Sequence, residues 1–231
     1  MRLLIILLLI TFSAHGQLKD NLKAKPSTLD KCYDHLDKIF NDTSKYTFKM
    51  FPEKIAVSRL HHGLGTWIRN EWGLWRNSNL KKYFENMGVF HPDDMSGIIL
   101  TSYHRKLNKG EIDLAGQIKS YQDFYKNTTV KNDTIFYPNN QMQFNEELEA
   151  LQKLLHAGDT VQIGIYAPEK RLFQTYATSV TGYAVINNTE KLTAEIIKIE
   201  NHRRRKPEKK VGDTVTLDLL NVSLIPPRNW N

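Results

Sequence analysis

Six residues of two acid–base types gather in the middle of the chain: His61, His62, His91, Asp93, Asp94 and His104. Imidazoles and carboxylates in one region can hold zinc or pass protons near neutral pH. Within this set His62, His91, Asp94 and His104 are the candidates for catalysis. Their spacing matches no metal motif, because H-E-x-x-H, which puts two imidazoles on one helix face, is absent. His61 and His62 are adjacent, so they point to different sides of a helix. Asp93 and Asp94 follow Pro92 and suit a first helical turn, where carboxylates meet the positive end of the helix dipole. His104 falls near the far end of the same helix, where a cation is favourable. These positions predict structural roles, with no metal site and no cofactor. The patterns G-x-S-x-G, P-loop and G-x-G-x-x-G are also absent. Cys32 is the single cysteine and takes an apolar position in a helical pattern, which rules out an internal disulfide.

Two other groups suit binding. Trp67, Trp72 and Trp75, with Arg69 between them, are the makings of an aromatic platform for sugars or peptides. The competing reading puts the tryptophans in the core, with Gly63, Gly65 and Gly73 allowing close packing. The run 202–210 (HRRRKPEKK) carries Arg203, Arg204, Arg205, Lys206, Lys209 and Lys210 against Glu208, a net +5. The whole chain is +7, so without Arg2 and this run a single positive charge is left. A cationic tip of this kind suits contact with phosphates, such as an anionic lipid surface. It has no interleaved aromatics on which bases stack, which disfavours nucleic acid.

The elements that must position these residues fall into two regimes. Residues 27–126 have helical periodicity. Ser27 suits a cap for Leu29, Cys32, Tyr33, Leu36, Ile39 and Phe40. Pro52 opens a second helix, residues 61–75 predict short helices with tight joints, and Ser78 caps a helix that Gly88 stops. Pro92 begins a helix through Leu107, and a last one spans about 113–125 with Leu114, Ile118, Tyr121 and Tyr125 inward. Residues 127–144 are polar and read as a linker, before a helix capped by Asn145. From Gly158 the period falls to two: Val161, Ile163 and Ile165; Tyr183 and Val185; Leu192, Ala194 and Ile196; Val215, Leu217 and Leu219. The fold class is therefore α+β: an all-α N-terminal domain, then residues 145–231 as a helix and a small five-stranded β-barrel of SH3 or OB type. The string Ala157-Gly158-Asp159-Thr160-Val161 returns as Val211-Gly212-Asp213-Thr214-Val215, which predicts two equivalent turns leading into strands.

The first sixteen residues have the parts of a cleavable secretory signal. Met1-Arg2 is followed by an apolar run to Phe12 and by small residues at Ala14 and Gly16, so cleavage is expected between Gly16 and Gln17. The apolar run is shorter than the ~20 residues of a spanning helix.

The blocks His62-Gly63-Leu64-Gly65-Thr66-Trp67-Ile68-Arg69-Asn70-Glu71-Trp72-Gly73-Leu74-Trp75 and His91-Pro92-Asp93-Asp94-Met95-Ser96-Gly97-Ile98-Ile99-Leu100, with Ser102-Tyr103-His104-Arg105, carry a resemblance. They resemble a family of exported proteins from Bacteroidota known only as a domain of unknown function, over roughly residues 50–125. The resemblance implies a bacterial envelope or secreted setting and a helical domain, and no activity. Together these features favour a periplasmic or secreted, non-enzymatic binding or scaffold module. Its expected partners are an envelope protein, a glycan or an anionic lipid. The alternative is a hydrolase that uses the His/Asp cluster.

Overall fold

The computed structural model describes residues 25–129, 140–167, 169–171, 174–176, 179–200, 207–217 and 222–227. The expected signal segment, the centre of the polar stretch and residues 201–206 lie outside the described residues. Among the described residues, no helix is long and apolar enough to cross a membrane. The chain sorts into two compact units: residues 25–41 with 52–129, and residues 42–51 with 141–227.

The first unit is helical. Helix α1 (Leu29–Ile39) is capped by Thr28, one residue beyond the expected Ser27, and buries Leu29, Cys32, Tyr33, Leu36 and Ile39 at spacings of three and four. Burial and the nearby Asp30 raise the thiol pKa of Cys32, so the neutral thiol is a core group. Helix α3 (Glu53–Leu60) runs into a single π-helical turn, His61–Gly65, and then into α4 (Thr66–Glu71). Helix α5 (Asn79–Glu85) is capped by the Ser78 side chain, as its sequence predicts. Helix α6 (Pro92–Leu107) is the central element and buries Met95, Ile98, Ile99 and Tyr103. Helix α7 (Leu114–Thr129) packs along it. A Cβ at Gly97 would fall on the Tyr121 hydroxyl, so the missing side chain is what lets α7 approach α6 closely.

The second unit is a sheet with helices. Helix α2 (Asp42–Met50) is contiguous in sequence with the helical run, yet its partner is strand β7 (Val222–Leu224). The buried Thr47 hydroxyl accepts from Leu224 N at 2.9 Å and donates to Thr43 O at 2.7 Å. Helix α8 (Asn140–Leu154) begins five residues before the expected Asn145. The other strands are β1 (Thr160–Tyr166), β2 (Glu169–Arg171), β3 (Gln174–Tyr176), β4 (Ser179–Asn188), β5 (Thr193–Ile199) and β6 (Thr214–Thr216). Five of them form one antiparallel sheet in the order β6-β5-β4-β1-β7, and β2 and β3 form a separate hairpin.

Among the described residues the expected barrel does not close. A barrel requires the two outermost strands to pair, and β6 and β7 end the sheet without doing so. A second correction concerns β4. The sequence puts Tyr183 and Val185 inward, but Val180, Gly182, Ala184 and Ile186 form the buried set and Tyr183 and Val185 are half-buried. Register decides this: Val161 sits opposite Ala184 and Ile165 opposite Val180, so the buried face of β1 continues through the even residues of β4.

The twin turns match bond for bond. His156 N donates to Asp159 Oδ2 at 2.8 Å, and Lys210 N to Asp213 Oδ2 at 2.9 Å. Gly158 N meets Ile186 O at 2.8 Å, and Gly212 N meets Ile196 O at 2.8 Å. Both glycines have φ of 91°, and a Cβ at either would meet nothing within 4 Å. The cost of a side chain there is therefore backbone strain alone. Gly158→Ala and Gly212→Ala should each lower stability by about 1–2 kcal/mol, and the two costs should agree to within roughly 0.5 kcal/mol. Paired urea melts test this.

Candidate functional site

The candidate site lies at the N-terminus of α6. Pro92 supplies the first helical φ, and the His91 side chain caps the helix: Nδ1 accepts from Asp93 N at 3.3 Å. That bond leaves the proton of the neutral ring on Nε2. Asp93 is bound from the buried side by Arg69, whose Nε lies 2.9 Å from Oδ1. Arg69 is 6% exposed. Its Nη1 donates to Ser96 Oγ and its Nη2 to Thr66 Oγ1, both at 2.9 Å, and Ser96 Oγ donates back to Asp93 O. The guanidinium thus ties the π-turn and α4 to the first turn of α6. Two imidazoles flank the same carboxylate: His61 Nε2 is 3.9 Å from Oδ1 and His91 Nδ1 is 3.6 Å from Oδ2. Burial, with Arg69 and His62 adding to it, holds the His61 pKa below its ordinary value. Asp94 is half-buried and bonded to the Tyr125 hydroxyl. Burial raises its carboxyl pKa above the usual range, and the phenol of Tyr125 is pushed up to about 12.

The four catalytic candidates do not share this place. His91 and Asp94 lie within it, and His62 borders it, its ring edge-on to His61 at 4.8 Å. His104 sits thirteen residues along α6, about 20 Å away at 1.5 Å per residue. It is buried, with Nδ1 3.9 Å from Glu53 Oε2. Glu53 is itself gripped by Arg105 at 2.7 and 2.9 Å, which holds its carboxyl below the usual range. Among the described residues, no group of three or more His, Cys, Asp or Glu is arranged to hold a metal ion.

Residues 25–107 match DUF6794, a domain of unknown function. The matched DUF6794 segment takes in both motif blocks of the sequence resemblance and ends with α6. No curated protein and no solved structure matches the chain.

Within the DUF6794 segment the supposed aromatic platform divides. Trp72 is 3% exposed and wedged between Trp67, at 6.0 Å, and His35, at 5.8 Å. Arg69 is buried in its network and Trp67 is half-buried. Trp75 is 53% exposed, with its ring 6.0 Å from that of His91. Phe90, directly before the cap, is 69% exposed. A hydrophobic residue at this position commonly packs on the helix's fourth residue; here that residue, Met95, is fully buried while Phe90 keeps most of its surface in water. Tyr125, expected inward, is 44% exposed, and Phe124, 5.5 Å from it, is 55% exposed. Among the described residues the exposed aromatics are Trp75, Phe90, Phe124, Tyr125 and Tyr166. Trp75 and Tyr125 border the start of α6 through the Trp75–His91 contact and the Asp94–Tyr125 bond, Phe90 directly precedes its cap, and Phe124 lies against Tyr125. Sequence reasoning missed Phe90, Phe124 and Tyr125; the one signal was Phe90 at a stapling position with no staple to make.

Of the basic run, Lys209 and Lys210 are described and exposed.

Under Trp72, His35 Nδ1 is the buried side-chain polar atom that lacks a hydrogen-bond partner among the described residues. Burial, with Lys38 adding to it, holds the His35 pKa below its ordinary value. The unfolded chain therefore takes up this proton, and that of His61, before the folded chain does. Their contribution to stability is full above the unfolded pKa of ~6.5 and is lost as pH falls toward the folded values. The urea midpoint should drop between about pH 8 and pH 5.5. His35→Phe keeps a ring against Trp72 without a titrating nitrogen; it should flatten that slope and raise stability at the acid end by about 1 kcal/mol.

Proposed function

We propose that this is an exported envelope protein whose helical unit binds a partner rather than transforming a substrate. One observation carries the reading: three exposed aromatics, Trp75, Phe90 and Tyr125, border the first turn of α6, on a base fixed by Arg69 and Asp93. Exposed aromatic patches of this kind mark interaction sites on otherwise polar surfaces. The binding face is Trp75, Phe90, His91 and Tyr125. The hydrolase alternative has less support, because His104 lies at the other end of α6 and Asp93 is already engaged by Arg69. Lys209 and Lys210, with the neighbouring arginines, are a secondary contact for anionic lipid.

The test is co-sedimentation of the purified protein with an envelope fraction of the cells that make it. Wild type should be retained and Trp75→Ala should not, at equal folded content by circular dichroism. Equal retention of both proteins would refute the binding face. The location has its own check: exported protein should begin at Gln17 on N-terminal sequencing, and a chain beginning at Met1 and confined to the cytosol would refute it.

A further inference from the structure

We infer that the aromatic face takes a neutral sugar ring of an envelope polysaccharide, an inference that rests on the binding reading above. Three features of the face select this chemistry. The first is charge. Asp93 is neutralised by Arg69 at 2.9 Å, and Asp94 meets the positive end of α6 and the Tyr125 hydroxyl. Charge at the face is compensated internally, so it offers little to an ionic ligand. The second is the mixture of groups. Trp75 supplies an apolar ring surface for sugar C–H groups. The His91 ring beside it offers its Nε2–H as a donor, and past His91 the Asp94 carboxylate and the Tyr125 hydroxyl, whose proton is given to Asp94, offer lone pairs to hydroxyls. A pyranose carries that same pairing of an apolar face with a hydroxyl rim. The third is size. An aromatic side chain buries ~150–250 Å² when wholly covered, so Trp75, Phe90 and Tyr125, each about half exposed, offer on the order of 300 Å². That is short of the ~800 Å² per partner of a standard protein interface and fits one or two sugar rings.

The site is also rigid where recognition needs it. His91 is held by the cap bond, Asp94 by Tyr125, and the helix start by the Arg69 network. A sugar docking here displaces water from groups already fixed, so little ordering cost is paid on binding.

The test uses the same envelope fraction in three forms: untreated, exhaustively proteolysed, and both proteolysed and solvent-extracted to leave its polysaccharide. Retention of the full protein should survive both treatments and be unchanged by salt. It should be competed by oligosaccharides hydrolysed from that polysaccharide. Those oligosaccharides should shift tryptophan emission, and Trp75→Ala should weaken their binding roughly tenfold or more. Asp94→Asn keeps the cap and the tyrosine contact but removes the charged acceptor, and should weaken binding about threefold to tenfold. Loss of retention on proteolysis identifies a protein partner, and loss on extraction a lipid surface. Either result overturns the sugar class and leaves the binding face standing, provided Trp75→Ala still fails on untreated material. Absence of retention on the untreated fraction, or retention indifferent to Trp75, overturns both.

Discussion

Arg69→Met should lower stability by about 2–3 kcal/mol in urea at neutral pH. Methionine replaces the aliphatic stem of arginine, so the packing of the stem is kept. What goes is the donor set that serves Asp93, Ser96 Oγ and Thr66 Oγ1 from a position 6% exposed. Removing one partner of a buried pair costs roughly 3–5 kcal/mol when the other is left dry. Asp93 is about a third exposed and stays wet, so the cost falls at or just below the bottom of that range. Asp93→Asn removes the charge partner while keeping the shape, and the two changes together should show a coupling of about 1 kcal/mol or more. A loss below about 1 kcal/mol for Arg69→Met would mean that the network adds nothing to the folded state. Because this network holds the first turn of α6, Arg69→Met should also weaken Trp75-dependent binding, although Arg69 is buried away from the ligand.

The two tryptophans three residues apart should part company. Trp72→Ala removes a side chain that fills the space between Trp67 and His35 and should cost about 3–5 kcal/mol. Trp75→Ala should change stability by less than about 1 kcal/mol and should abolish retention on the envelope fraction. Thermal and urea melts of both variants, alongside the sedimentation assay, separate the roles. A large stability loss at Trp75 would make it a core residue and remove the reason to call its surroundings a binding face.

The helices were legible because their signals are local. Ser78 and Pro92 mark starts, and the three-and-four spacing of Leu29, Cys32, Leu36 and Ile39 marks a buried stripe. The twin turns were legible for the same reason: Gly158-Asp159 and Gly212-Asp213 carry their own backbone chemistry. Features set by distant partners were not. The inward phase of β4 depends on its pairing with β1, and small buried residues such as Gly182 and Ala184 give almost no apolar signal of their own. Closure of a sheet depends on whether its last strands meet, which alternation within each strand does not encode. The site shows the same division. His91 and Asp94 announce themselves as a helix start, whereas Tyr125 reaches Asp94 only because α7 returns along α6 with Gly97 beneath Tyr121. Arg69 and Trp75 read alike in sequence; the backbone path after the π-turn buries one and leaves the other in water.

The pairing of α2 with β7 fixes a timetable for the newly made chain. Thr47 and Leu224 are 177 residues apart, and at ~5–20 residues per second the strand follows the helix out of the ribosome by about 10–35 s. Throughout that interval Phe48 and Thr47, both buried in the finished protein, have no strand to lie against. The sheet unit cannot complete itself until β7 has been made. Until then α2 is a helix without its strand, and its apolar side chains are open to chaperones.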